Sequence, residues 1–294
     1  MIDRFLDYLR YERNRSELTV LRYEKSLNDF ETFFKNLPGE LTWETVDADV
    51  IRDWLESLMD KGYKATSVNA DLAALKSFYR FALARNYVGR DSVHCVRGPK
   101  KQKPLPQYVR EQEMDKLLDQ ENWEDNYYDL RARTIIILLY EAGLRRAELV
   151  GLDDKDIDFG SRQLKVTGKR NKQRVIPFGE ELEGELRNYM IVRDREISKS
   201  SDALLLDKHG QRMTAAMVYT EVRKQLGKVT MMKKRSPHVL RHSFATALLN
   251  HEAGLESVRR LLGHESLKTT EIYTHTTFEQ LRRVYKEAHP RGTE

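Results

Sequence analysis

With 294 residues, 40% hydrophobic and 33% charged, the chain is long enough for one large domain or two of medium size. No run approaches the ~18 apolar residues a membrane span requires. The opening MIDRFLDYLRYER lacks the apolar block of a signal peptide, and a lone cysteine, Cys95, supplies neither a disulfide framework nor a cysteine-based metal site. The net charge of +5 favours an anionic partner, and the surplus lies beyond residue 98, because the stretch before it is close to neutral.

The first ~97 residues read as helices. Phe5, Leu6, Tyr8 and Leu9 recur at helical spacing, and a second helix is expected from a Ser16 cap through Phe34, ended by Pro38-Gly39. A third, Val46 to Met59, sets Val50, Trp54, Leu55 and Leu58 on one stripe; a fourth, Ser67 to Asn86, does the same with Leu72, Leu75, Phe78, Tyr79 and Ala82. Together they predict a helical bundle over residues 1–97. RGPKKQKPLP follows, a proline-rich strip whose Arg97, Lys100, Lys101 and Lys103 suit a linker (98–108) that also tracks a phosphate backbone.

A third region, 109–294, opens with a helix from Glu111 to Asp119 and an apolar one over Thr134–Glu141, broken by Gly143. Short strands are expected at Ile157–Phe159, Gln163–Thr167 and Gln173–Phe178, with GKRNK as the turn before the last. Helices resume near Glu180. The fold class is therefore mainly α with a small antiparallel β-sheet.

Four segments of this region carry reactive side chains. In AGLRRAEL, Gly143 permits a sharp turn and Arg145 opens a helix, where free amides favour an anion. Lys169 sits at the hairpin tip, with Lys172 beside it, placed to reach into a groove. In SPHVLRH, Ser236 can cap and Pro237 suits the first helical position, so His238 and Arg241 share one face with His242 adjacent. In LLGHES, Gly263 ends a helix before His264, and Ser266 can cap a further one carrying Tyr273.

Each segment alone reads as solvated charge or core packing; the set defines a reaction. Arg145 and Arg241 can grip the non-bridging oxygens of one phosphodiester, where preorganised donors stabilise charge developing in the transition state. His238 and His264 add hydrogen bonds or move a proton. Tyr273 is the nucleophile; its ordinary pKa of ~10 falls in cationic surroundings. Lys169 can protonate the departing 5′ oxygen. A 3′-phosphotyrosine stores the bond energy, so a strand can be cut and rejoined without ATP. No GxxxxGK loop is present, and the carboxylates are scattered rather than clustered as in a two-metal nuclease. No cofactor and no metal are therefore expected.

The ordered pattern Arg145, Lys169, His238-x-x-Arg241, His264, Tyr273 resembles the tyrosine recombinase/integrase family, and within it the Xer recombinases. The resemblance extends to SELTVLRYEKSLNDFETFF, which is similar to the family's core-binding, SAM-like domain. It implies a two-domain DNA clamp, with Glu148 orienting a guanidinium and His242 supporting His238 or the phosphate. Ala142 and Ala147 stand where relatives often carry Thr and Ser. The implied partners are a double-stranded DNA recombination site and other recombinase protomers, four on two sites, with a second Xer-type recombinase and a septal DNA translocase as further candidates. The implied role is chromosome-dimer resolution at cell division, in a cytoplasmic, nucleoid-associated protein without membrane insertion.

Alternatives are a mobile-element integrase, a type IB topoisomerase using the same tyrosine chemistry, and a DNA-binding architectural protein. The last has no need for a Lys and a Tyr at these places. The last apolar stripe, Phe278, Leu281, Val284 and Tyr285, fits either packing on its own domain or docking into a neighbouring protomer.

Overall fold

Aromatic side chains three and four apart draw the first hundred residues into a helical bundle. In this computed structural model, which describes residues 1–101, 107–168, 171–263 and 283–291, the chain divides into units Met1–Pro104 and Leu105–Glu294. The first holds α1 (Ile2–Asp7, continued by a π-helical turn Tyr8–Glu12), α2 (Glu17–Lys35), α3 (Ala48–Asp60) and α4 (Ala65–Ala84). Trp43, before α3, is the centre of its core: its ring lies 4.5 Å from Phe78 and 5.2 Å from Phe34. Its carbonyl accepts from the Tyr79 hydroxyl at 3.0 Å.

Boundaries shift where local chemistry overrides the apolar pattern. α3 starts at Ala48 rather than Val46, because Asp47 caps the amides of Asp49 and Val50 at 2.9 and 3.0 Å. Val46 and Ile51, both fully buried, then occupy the positions of a hydrophobic staple. α4 spans Ala65–Ala84 instead of Ser67–Asn86; Asn86, at φ +55°, has left the helix. Ser16 stands at the cap position of α2, but its hydroxyl bonds the Thr19 hydroxyl at 2.9 Å and caps no amide.

The second unit is built on α6 (Tyr127–Glu141), with α5 (Glu111–Leu118), α7 (Arg146–Val150), α8 (Glu180–Glu196), α9 (Ala215–Val229), α10 (Pro237–Asn250) and α11 (Leu255–Leu262). α6 begins seven residues before the expected Thr134, capped by Asn126, and is buried all round from Leu130 onward. Its arginines concealed the burial in the sequence. Arg131 donates to the Leu206 carbonyl at 3.0 Å, and Arg133 to that of Leu118 at 3.1 Å and to Glu185. The sheet β1 (Ile157–Asp158), β2 (Gln163–Thr167) and β3 (Gln173–Pro177) is antiparallel in sequence order, with Val166 paired to Arg174. β1 and β3 each stop one residue short of expectation.

Residues 283–288 are helical, and Tyr285, Ala288 and His289 are buried in their own unit; Phe278 and Leu281 lie outside the described residues. Here Glu141 is fully buried, and neither carboxyl oxygen has a hydrogen-bond partner among the described residues. Burial first, then Glu181, pushes its carboxyl well above the ordinary range, against the pull of Arg291 and Arg133. A raised folded pKa means stability present at low pH and lost as pH rises through the raised value. Glu141→Gln is therefore expected to raise the melting temperature at pH 8 more than at pH 4, by roughly 2–4 °C per kcal/mol relieved. Equal shifts at the two pH values in thermal denaturation would contradict this.

Candidate active site

Gly143 makes the site possible. At φ +57° it turns the chain out of α6, and the Cβ of any other residue would meet the Phe244 ring at 2.4 Å. Two residues on, Arg145 takes the extended cap position of α7, as the sequence suggested. The anion expected at that helix start is internal, however. Glu148 accepts the Arg145 amide at 2.8 Å and its guanidinium Nη1 at 2.6 Å.

Arg241 reaches the same place from α10. Pro237 opens that helix, but the Ser236 hydroxyl is buried without a partner among the described residues, so it does not act as the cap. Arg241 is 8% exposed, while His238 and His242, one turn away and adjacent, are exposed. Its Nη1 donates to the Gly143 carbonyl and its Nη2 to that of Leu262, with Glu148 Oε2 at 3.8 Å.

A third guanidinium, missed from sequence, completes the cluster. Arg174 on β3 places Nη1 and Nη2 each 2.9 Å from the two oxygens of Glu148, and its Nε donates to the Leu261 carbonyl at 3.1 Å. The available signal was its alternation with Ile176 on the inward face of β3. Arg145 Nη2 donates to Gly263 at 3.0 Å, so three arginines hold the three successive carbonyls that end α11. That is the negative end of a helix, where cations are favoured.

Three guanidiniums thus surround one carboxylate, and their charges respond. Burial raises the Glu148 pKa, but the Arg174 fork and Arg145 outweigh it and bring the group down to about 2. Arg241 is pushed down to about 9, by burial first and then by the like charges of Arg145 and Arg174 against the opposing pull of Glu148. It still carries its proton at neutral pH, in a site with positive charge to spare. Although His238 is exposed as a residue, desolvation on the protein side of its ring, then Arg146, His242 and Arg241, lowers its pKa, which favours the neutral imidazole that can accept a proton.

Lys169, His264 and Tyr273 lie outside the described residues, as does Lys103. The residues preceding two of them belong to the cluster. A Cβ on Gly168 would lie 3.3 Å from Glu148 Oε1, and one on Gly263, at φ +63°, 3.1 Å from Arg174 Cδ. Lys172 is exposed at the hairpin, whose root closes through Gly168 N–H to the Lys172 carbonyl at 2.7 Å. Arg97, Lys100 and Lys101 are exposed on the first unit. The structure thus brings together Arg145, Glu148 and Arg241, with His238 and His242 at the edge.

Residues 107–280 match the model of the phage integrase family, and residues 2–86 that of the phage integrase N-terminal SAM-like domain. Tyrosine recombinase XerC of Chlorobaculum tepidum is 36% identical, covering 98% of this chain and 94% of its own. That of Listeria innocua is 37% identical, covering 98% and 97%. Among solved structures, the XerH site-specific recombinase bound to palindromic difH substrate in a post-cleavage complex has a TM-score of 0.72. It is 23% identical and covers 96% of this chain and 83% of its own, a likeness of fold.

Proposed function

The chain belongs to the phage integrase family, and on that footing we propose that it cuts and rejoins DNA through a 3′-phosphotyrosine formed by Tyr273. It is a tyrosine-type site-specific recombinase. The observation that carries the chemistry is the surplus of positive charge around one carboxylate: buried Arg174 and Arg241 and half-exposed Arg145 against the single carboxylate of Glu148. A phosphodiester supplies the missing negative charge and accepts donors that Arg145 and Arg241 leave unspent.

In this reading neutral His238 takes the Tyr273 proton as the phenolic oxygen attacks phosphorus. Arg145 and Arg241 stabilise the charge gathering on the non-bridging oxygens. His264 adds a donor, and Lys169 protonates the leaving 5′ oxygen. The phosphotyrosine ester is then attacked by the 5′ hydroxyl of another strand, which reverses each proton movement. Glu148 holds Arg145, His242 supports His238, and Arg97, Lys100, Lys101, Lys103 and Lys172 contact phosphates. The 1–97 segment forms the core-binding domain, 98–108 the linker, and 109–294 the catalytic domain.

Whole-length likeness to XerC proteins favours chromosome-dimer resolution over mobile-element integration. Strand exchange between two duplexes calls for four protomers, whether of one chain or with a second Xer-type recombinase. A septal DNA translocase is a further partner, at the nucleoid.

A bridging-sulfur substrate tests the proton donor. Lys169→Ala should slow cleavage of a normal phosphodiester by ~10²-fold or more, and cleavage of a 5′-bridging phosphorothiolate far less, because a thiolate leaves unprotonated. Equal losses on the two substrates would take Lys169 out of this role.

A further inference from the structure

We infer that Arg174 is a positioning residue for strand cleavage, acting through Glu148 on Arg145 and Arg241; this rests on the proposed phosphodiester chemistry. Arg174 is 7% exposed, and the contacts described above use all three of its guanidinium nitrogens on protein groups. Arg145 and Arg241, by contrast, each commit their two Nη nitrogens to protein groups and retain Nε and a second hydrogen on each Nη for a ligand. Arg174 is therefore placed to hold the machinery and not the substrate.

What it holds is decided by Glu148. Glu148 is 4% exposed, and both its carboxylate oxygens are in the Arg174 fork. The remaining contacts of Glu148 are the Arg145 backbone and guanidinium and the more distant Arg241. With the fork in place, Glu148 is a fixed anion, and the Arg145 guanidinium has one position against it. Without the fork, burial drives the carboxyl toward its neutral form, and Arg145 loses the charge that orients it. A lysine cannot replace the fork, because an ammonium is a point charge and cannot reach both oxygens and the Leu261 carbonyl in one plane. At the other end, Arg174 packs against Gly263 and ties down the last turn of α11, the helix that Arg145 and Arg241 also hold. One side chain thus connects β3, α7 and α11.

The test is single-turnover covalent-adduct formation on a nicked site from pH 5 to 8, with wild type, Arg174→Met, Arg174→Lys, Glu148→Gln and the Arg174→Met/Glu148→Gln pair. Folded fraction is measured by circular dichroism, and DNA affinity by gel shift. Wild type should show no limb due to Glu148 in this range. Arg174→Met should bind DNA within a few-fold of wild type yet cleave about 10²-fold more slowly per folded molecule. It should also acquire an acid limb, faster at pH 8 than at pH 5, where Glu148 takes up a proton. Arg174→Lys should recover only part of the rate. The double variant should lose the limb and be no slower than the worse single variant, because both changes act on one unit. A merely structural arginine would lower the folded fraction and leave the profile of the folded protein unchanged. That result, additive effects in the pair, or a wild-type rate in Arg174→Met would overturn the inference. Absence of adduct from wild type itself would instead strike the phosphotyrosine reading.

Discussion

Tyr273→Phe is expected to abolish covalent protein–DNA adduct while leaving DNA affinity within a few-fold of wild type. The change removes one oxygen and little else. Phenylalanine keeps the ring and whatever packing it makes, so the binding surface is preserved and only the nucleophile is lost. Removing a nucleophile from a preorganised site costs on the order of 10⁴-fold or more in rate. The assay is a nicked suicide substrate in excess EDTA, with adduct read on a denaturing gel. Wild type should accumulate adduct, and the phenylalanine variant none. A covalent adduct from the Phe variant would place the nucleophile elsewhere in the chain.

The second large effect is expected of Gly143→Ala, the smallest substitution that can be made there. At φ +57° the left-handed backbone costs an alanine ~1–2 kcal/mol. The added methyl would also lie 2.4 Å from a Phe244 ring with no exposed surface to retreat to, and forced overpacking costs about 1–3 kcal/mol. Together these amount to ~2–5 kcal/mol, or a fall in melting temperature of roughly 5–15 °C for a domain of this size. Cleavage should fall further than stability, since the Gly143 carbonyl holds Arg241 and the turn delivers Arg145. Gly184→Ala is the matched control. It sits inside α8 with nothing within 4 Å of its added methyl and should stabilise by ~0.5–1 kcal/mol. A melting temperature for Gly143→Ala within a degree of wild type would refute the argument.

The helices of the first unit were legible because aromatic and aliphatic residues keep a 3.6-residue period there, and the strands because β2 alternates. Errors came where side-chain hydrogen bonds decide. Asp47 and Asn126 moved two helix starts, while Ser16 and Ser236 stand at cap positions without capping. The arginine cluster was legible where residue type and order carry it, in Arg145 and Arg241, which converge on one carboxylate. Two features were hidden. Arg174 belongs to no motif, and its burial depends on contacts its side chain makes with Glu148 of α7 and the last turn of α11. The other partners are the carbonyls of Leu261, Leu262 and Gly263, which any residue would provide and no motif can reveal.

The burial of this charge network separates two responses to ionic strength. Mobile ions screen charges they can approach, over a Debye length of about 8 Å at physiological salt, and act weakly on pairs enclosed by protein. Glu148, Arg174 and Arg241 are each less than a tenth exposed, whereas Lys100, Lys101 and Lys172 lie open to solvent. With those outer lysines on phosphates, as proposed, counterion release there should make occupancy of DNA steeply salt-dependent. The enclosed arginines keep their geometry as salt rises. Added salt is therefore expected to govern how much DNA is held far more than how fast held DNA is cut, with half-exposed Arg145 the member of the cluster that mobile ions can approach.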